Sequence, residues 1–186
     1  GEWKEAGFTA ADARAEGLVT KASECVRLGY TKVHEIADAG FTLREAAMAC
    51  DLTLRDLRKR GVIVTVLEAS AAGFGGPDWK DAEFTAAEAR RAGLVTSVSE
   101  CVRVGYATAR DVFVAGFTLR EAVEAHVVIS THEAVQAGYR DLRELKDAGF
   151  IDGLKTEGFG IEELVERGFD ASEVKRAGFN TSEAWE

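Results

Sequence analysis

One proline and one methionine in 186 residues leave little to interrupt regular structure or to form stiff, extended linkers. Cysteine is as scarce. Cys25, Cys50 and Cys101 make an odd number, and no CxxC spacing occurs, which excludes a disulfide framework or a zinc ribbon. Cys25 and Cys101 recur at equivalent places in two repeats, so the expectation is buried thiols in a reducing compartment, and an intracellular, cytoplasmic protein. No apolar run approaches the roughly 20 residues that a membrane span needs. A signal or transit peptide pattern is missing, as is an initiator Met, so the chain is expected to be processed or cut from something longer.

Basic residues are the minority charge. Lys and Arg number 23 against 32 Asp and Glu, a formal net charge of -9 with a pI near 5.0. That balance disfavours nucleic acid and an anionic membrane surface as partners. Reactive motifs are lacking too: there is no GxGxxG, no P-loop, no GxSxG and no HExxH. No catalytic, cofactor-binding or metal-ligating residue is therefore assigned, no cofactor is implied, and the protein is not expected to be an enzyme.

What the chain has instead is repetition. In Ala39-Gly40-Phe41-Thr42-Leu43-Arg44-Glu45, Gly40 suits the left-handed residue that ends a helix. Thr42 is an N-cap for the next helix, and Glu45 completes a capping box. Phe41 falls just before the cap, where it can staple onto Ala46 in the first turn. The apolar slot returns at Phe8, Leu18, Tyr30, Phe41, Leu52, Val62, Phe74, Phe84, Leu94, Tyr106, Phe117, Val127, Tyr139, Phe150, Phe159, Phe169 and Phe179. Every Tyr and all Phe but Phe113 occupy it. Glycine precedes the slot except at Asp51, Glu83 and His126; Asp51 and His126 tolerate the left-handed turn and are expected to share it, whereas Glu83 does not, so its turn is expected to be strained or differently built.

The spacing of about 9–12 residues leaves helices of about two turns, unstable alone and dependent on neighbours. The fold expected is all-α, an α-solenoid or superhelix of short helices in tandem. Slot glycines Gly7, Gly40 and Gly73 advance by 33, which groups about three helices per 33 residues and suggests three per superhelical turn, with the slots pointing inward. Antiparallel pairs are the alternative. The linkers Val62-Ile63-Val64-Thr65, Leu94-Val95-Thr96 and Val127-Val128-Ile129-Ser130 are read as extended and buried.

A larger duplication overlies this pattern. FTAADARAEGLVTKASECVRLGY from Phe8 returns from Phe84 as FTAAEARRAGLVTSVSECVRVGY, an offset of 76. The chain divides into a first copy, 1–76, a second, 77–150, and shorter repeats over 151–186, all in one array. Gly75-Gly76-Pro77 marks the junction, with Pro77 suited to a helix start.

Candidate chemistry is sparse. His34, His126 and His132 do not share a helix face and are not expected to bind metal. Glu162, Glu163 and Glu166 read as the solvated start of a helix. Arg55, Arg58, Lys59 and Arg60 form the best basic patch, but cations also belong at the helix end that Gly61 marks. The function expected is a non-enzymatic repeat module acting as a protein-interaction scaffold. A purely structural spacer is the alternative, and an enzyme or nucleic-acid binder ranks lower. Trp3 and Trp185 near the two ends suggest weak end-to-end self-association.

Overall fold

A computed structural model describes residues 2–180. Helices are the only regular elements among the described residues. Two compact units emerge, Gly1–Phe84 and Thr85–Glu186. The first holds α1 (Glu2–Glu5), α2 (Ala10–Ala15), α3 (Ala22–Arg27), α4 (Val33–Asp38), α5 (Leu43–Ala49), α6 (Leu54–Lys59), α7 (Val66–Ala71) and α8 (Gly76–Asp81). The second holds α9 (Ala86–Arg91), α10 (Val98–Arg103), α11 (Ala109–Val114), α12 (Leu119–Glu124), α13 (Thr131–Ala137), α14 (Leu142–Asp147), α15 (Ile161–Glu166) and α16 (Ala171–Arg176). Each unit is a tandem array of short helices, solenoid-like in arrangement. None of these helices is long and apolar enough to cross a membrane.

The helices are short because the chain turns left-handed at a fixed place. Gly40 has φ 88° and Gly116 φ 80°; the three non-glycine positions follow, with Asp51 at 61°, Glu83 at 64° and His126 at 57°. The turn closes on itself: Gly116 N–H donates to the Phe113 carbonyl at 2.8 Å, and Phe117 N–H to the Val112 carbonyl at 3.3 Å. The second bond folds the slot residue back over the helix's last turn, so an apolar side chain there covers it. The next helix starts at once. Thr42 N–H donates to the Glu45 carboxylate at 2.8 Å, and Glu45 N–H to the Thr42 hydroxyl at 3.2 Å.

Three kinds of connector follow, set by how many residues separate slot from cap. With none, the slot residue ends one helix and precedes the next; Phe41, Phe74, Phe84 and Phe117 are buried there, Leu52 is half-buried and Phe8 is exposed. With one, the slot is tyrosine: the Tyr30 hydroxyl donates to the Phe8 carbonyl at 2.8 Å, and that of Tyr139 to the Phe117 carbonyl at 3.0 Å. Burial pushes the Tyr139 phenol up to about 12. With two, the linker is extended, side chains alternate, and the residue after the slot enters the core. Val19, Ile63, Val95 and Val128 are buried, while Leu18, Val62, Val64 and Ile129 are exposed. The expectation of wholly buried linkers is thus corrected to one buried residue in each. Nor is the inward stripe of slots continuous, since Phe150 is only half-buried.

Packing joins helices two apart: α2 with α4, α3 with α5, α6 with α8, α9 with α11, α11 with α13 and α12 with α14. Consecutive helices pack as well, α4 on α5 above all, so the 33-residue grouping of about three helices is the period of the residue pattern and the two-apart contacts run within it. Small side chains line the seam in the first unit, where Ala10, Ala13, Ala22, Cys25, Ala39 and Ala46 pack around Tyr30, Ile36 and Phe41. A cation locks several of these steps. Arg14 on α2 donates to the Ala39 carbonyl at 2.7 Å and lies 4.0 Å over the Phe41 ring. Arg90 on α9 does the same to Ala115, at 3.0 Å, and to Phe117, at 3.8 Å. Each such cation satisfies a carbonyl that a helix end leaves open and adds a ring contact of about 0.5–2 kcal/mol.

One shorter repeat departs from the pattern. IDGLKTEGF, residues 151–159, forms consecutive turns rather than a helix, with Gly153 at φ 82°. Leu154 keeps the core position, and Glu157 N–H reaches the Gly153 and Leu154 carbonyls at 3.2 and 3.1 Å.

Candidate interaction surface

Two residues of the basic patch, Arg55 and Arg58, are taken up inside the first unit, while Lys59 and Arg60 are exposed. The Arg58 guanidinium on α6 donates to the Ala82 carbonyl and sits 4.1 Å over the Phe84 ring. Arg55 pairs with Glu83, the strained left-handed residue. The sequence offers only helix-end electrostatics for this cluster; its partners lie 24 to 28 residues away.

The other candidates scatter. His34 is exposed on α4, and His126 stands in its left-handed turn. His132 Nδ1 lies 2.8 Å from a Glu157 oxygen at the surface. Glu162, Glu163 and Glu166 are exposed along α15. Among the described residues no group of His, Cys, Asp and Glu is arranged to hold a metal ion. The cysteines carry no disulfide. Cys25 and Cys101 are buried, Cys50 is half-buried and donates its S–H to the Thr31 carbonyl at 3.3 Å. Desolvation raises the thiol pKa of both Cys25 and Cys50, so neither is primed as a nucleophile. Trp3 is half-buried against Phe8, with ring centroids 5.0 Å apart; Trp185 lies outside the described residues.

Two concave surfaces stand out. A groove of about 550 Å³ in the first unit runs along α5, α6 and α8, lined by Arg44, Met48, Leu52, Arg55, Phe74 and Asp78 among others. Met48 is 63% exposed. The equivalent residue in the second copy is Glu124, which holds Arg120 on its own helix at 3.1 Å. With Met48 there instead, Arg44 reaches across to Asp78 at 3.7 Å, and the groove gains an apolar floor between charged walls. In the second unit a cleft of about 1130 Å³ lies against α15 and α16, lined by Val165, Phe169, Val174, Lys175 and Phe179 among others.

Comparison with protein-family models, with curated proteins and with solved structures finds no match.

Proposed function

We propose that this chain is a non-enzymatic repeat module that holds a protein partner, and that the α5–α6–α8 groove is where it does so. The observation that carries the reading is Met48. An exposed, flexible apolar side chain stands where the repeat's other copy has a surface glutamate, and it lines the groove. A floor of Met48 and Leu52 between Arg44, Arg55, Asp78 and Asp81 suits a peptide segment with an apolar anchor flanked by charges of both signs.

Nucleic acid is a poor fit, because the net charge is -9 and Arg55 and Arg58 are engaged within the fold. Undisulfided, buried Cys25 and Cys101 support a reducing compartment. The same reading includes end-to-end self-association.

The test is affinity capture from source cells with the intact chain and with Met48→Glu, which restores the residue of the second copy. The partner should be lost from the variant while its thermal melt is unchanged. Equal capture by both would reject the groove. Capture of nothing by either would favour a spacer segment.

A further inference from the structure

Cations cover aromatic slots in a fixed register. Arg14, Arg58, Arg90 and Lys146 are each the fifth residue after the caps Thr9, Thr53, Thr85 and Asp141. Their heads stand 3.8–4.9 Å over the rings of Phe41, Phe84, Phe117 and Phe169, all of them buried. Phe150 departs from this rule. On α12, which packs against α14, the fifth residue after the cap Thr118 is Val123. Among the described residues no cation stands over the Phe150 ring, and the ring is only half-buried.

The matching ring of the first copy, Phe74, has Ala47 at that place and is buried nonetheless. There α8 follows at once, and its Trp79 Nε1 donates to the Phe74 carbonyl at 2.9 Å. After Phe150 come the turns of residues 151–159, and a cleft of about 480 Å³ lies between them and the start of α13, within the size range of ligand pockets. Ile129, His132, Phe150, Asp152 and Glu157 are among its walls, Ile129 is 71% exposed, and no lysine or arginine lines it. The neighbouring cations are engaged, Arg176 with the Asp152 carboxylate at 2.9 Å and Arg140 with the Glu157 carbonyl at 3.5 Å. The Glu157 side chain is 11% exposed. One of its carboxylate oxygens lies 2.8 Å from His132 Nδ1, and the other has no hydrogen-bond partner among the described residues. A carboxylate so far removed from water is under-satisfied by a single imidazole.

From this we infer that the Phe150 cleft binds an arginine side chain of a partner protein. The guanidinium stacks on the Phe150 ring and donates to the open oxygen of Glu157, and Ile129 covers the aliphatic stem. The carboxylates of Glu157 and Asp152 make the cleft complementary to a cation. Arginine fits better than lysine, because a planar guanidinium can lie on a ring and fork to a carboxylate at once. The chain's own Arg14, Arg58 and Arg90 lie 3.8–4.1 Å over their rings, whereas the Lys4, Lys146 and Lys155 nitrogens stand 4.9–5.7 Å away from theirs. The partner thus supplies from outside the cover that the fold gives its other rings from within. This is a second site, on the second unit, and it does not depend on the Met48 groove.

An NMR titration of the purified chain with Nα-acetyl-arginine amide, at about 150 mM salt, tests it. The amides of Gly149, Asp152, Gly153 and Thr156 should shift saturably, with a Kd of about 1–10 mM for so small a probe. The uncharged citrulline analogue should bind at least about tenfold more weakly, and the lysine analogue about threefold. Glu157→Gln should weaken arginine binding at least about fivefold, as should Phe150→Leu, which puts in a residue that other slots already use. Glu157→Gln keeps the shape of the side chain, so it decides the matter even where Phe150→Leu fails to fold. No saturable shift by about 50 mM, equal binding of citrulline or lysine, or undiminished binding in Glu157→Gln would overturn the inference. Met48→Glu should bind the arginine probe like the wild type, and Glu157→Gln should leave capture through the Met48 groove unchanged, so the two readings fail separately.

Discussion

Residues 41–74 and 117–150 begin with the same six residues, FTLREA, span the same length and end on the same turn, yet differ between. In the first, the slots Phe41, Leu52, Val62 and Phe74 are separated by 11, 10 and 12 residues. In the second, Phe117, Val127, Tyr139 and Phe150 are separated by 10, 12 and 11. The long, two-spacer connector has moved from third place to second. Helix α14 nonetheless matches α7 at the offset of 76, while α13 stands one residue later than α6. Connector types can therefore be exchanged provided that the total register returns.

The exchange leaves a trace in Phe113, the phenylalanine outside the slots. Its ring packs edge-on to Tyr139, with centroids 4.9 Å apart, and lies against Gly138, where any side chain would meet it at under 3 Å. The equivalent of Phe113 in the first copy is Ala37, and the turn two helices on, at Gly61, has open space beside it. A bulkier residue fills what the changed connector opens.

The largest effect should come from what the two regions share. Phe41→Ala and Phe117→Ala should each cost about 3–5 kcal/mol in denaturant unfolding, since both rings are buried under a guanidinium. A loss below about 1 kcal/mol at Phe117 would break the equivalence. Phe113→Ala sharpens the difference instead. It should cost about 2–3 kcal/mol, less than Phe117 because the ring is half-buried, yet more than a surface change because the Tyr139 contact goes with it.

Much of this was legible in the sequence, and the limit was distance along the chain. Gly40, Asp51 and His126 could be placed in left-handed turns because the signal is local: a helix pattern stops, and a cap follows within about four residues; at Glu83, expected to be strained or differently built, the same left-handed turn is found. The identity of the buried linker residue was not legible, since Val62, Ile63 and Val64 are all apolar and only the neighbouring helices choose among them. Arg58 looked like a member of a surface cluster because its carbonyl and its ring lie 24 and 26 residues ahead. The two-helix step was hidden for the same reason. Residues 151–159 kept the repeat's apolar signature while Gly153 broke the helix. Of the candidate surface, Glu162, Glu163 and Glu166 were read as the solvated start of a helix and are exposed on α15, whereas the Met48 groove depends on α8 meeting α5 and α6.

The smallest effect is in acid. In the shared FTLREA segment, the Thr118 N–H and hydroxyl hold the Glu121 carboxyl below its ordinary 4.5, and Thr42 does the same for Glu45. A depressed folded-state pKa contributes stability that is present above the unfolded value and lost as pH falls through the folded one. Thermal melts should thus be flat from about pH 7 to 5 and fall below about 4.5. Glu45→Gln and Glu121→Gln should shrink that acid limb equally, and unequal shrinkage would set the two regions apart.

The central claim is that the count of residues between slot and cap decides which side chain enters the core. The most direct measurement is urea unfolding of Val62→Ala beside Ile63→Ala. Ile63 is 1% exposed and its neighbour Val62 51%, although Val62 follows the glycine as Phe41 and Phe117 do. The account predicts a loss of about 2–5 kcal/mol for Ile63→Ala and a change within about 0.5 kcal/mol for Val62→Ala. Equal losses, or a larger loss at Val62, would contradict it.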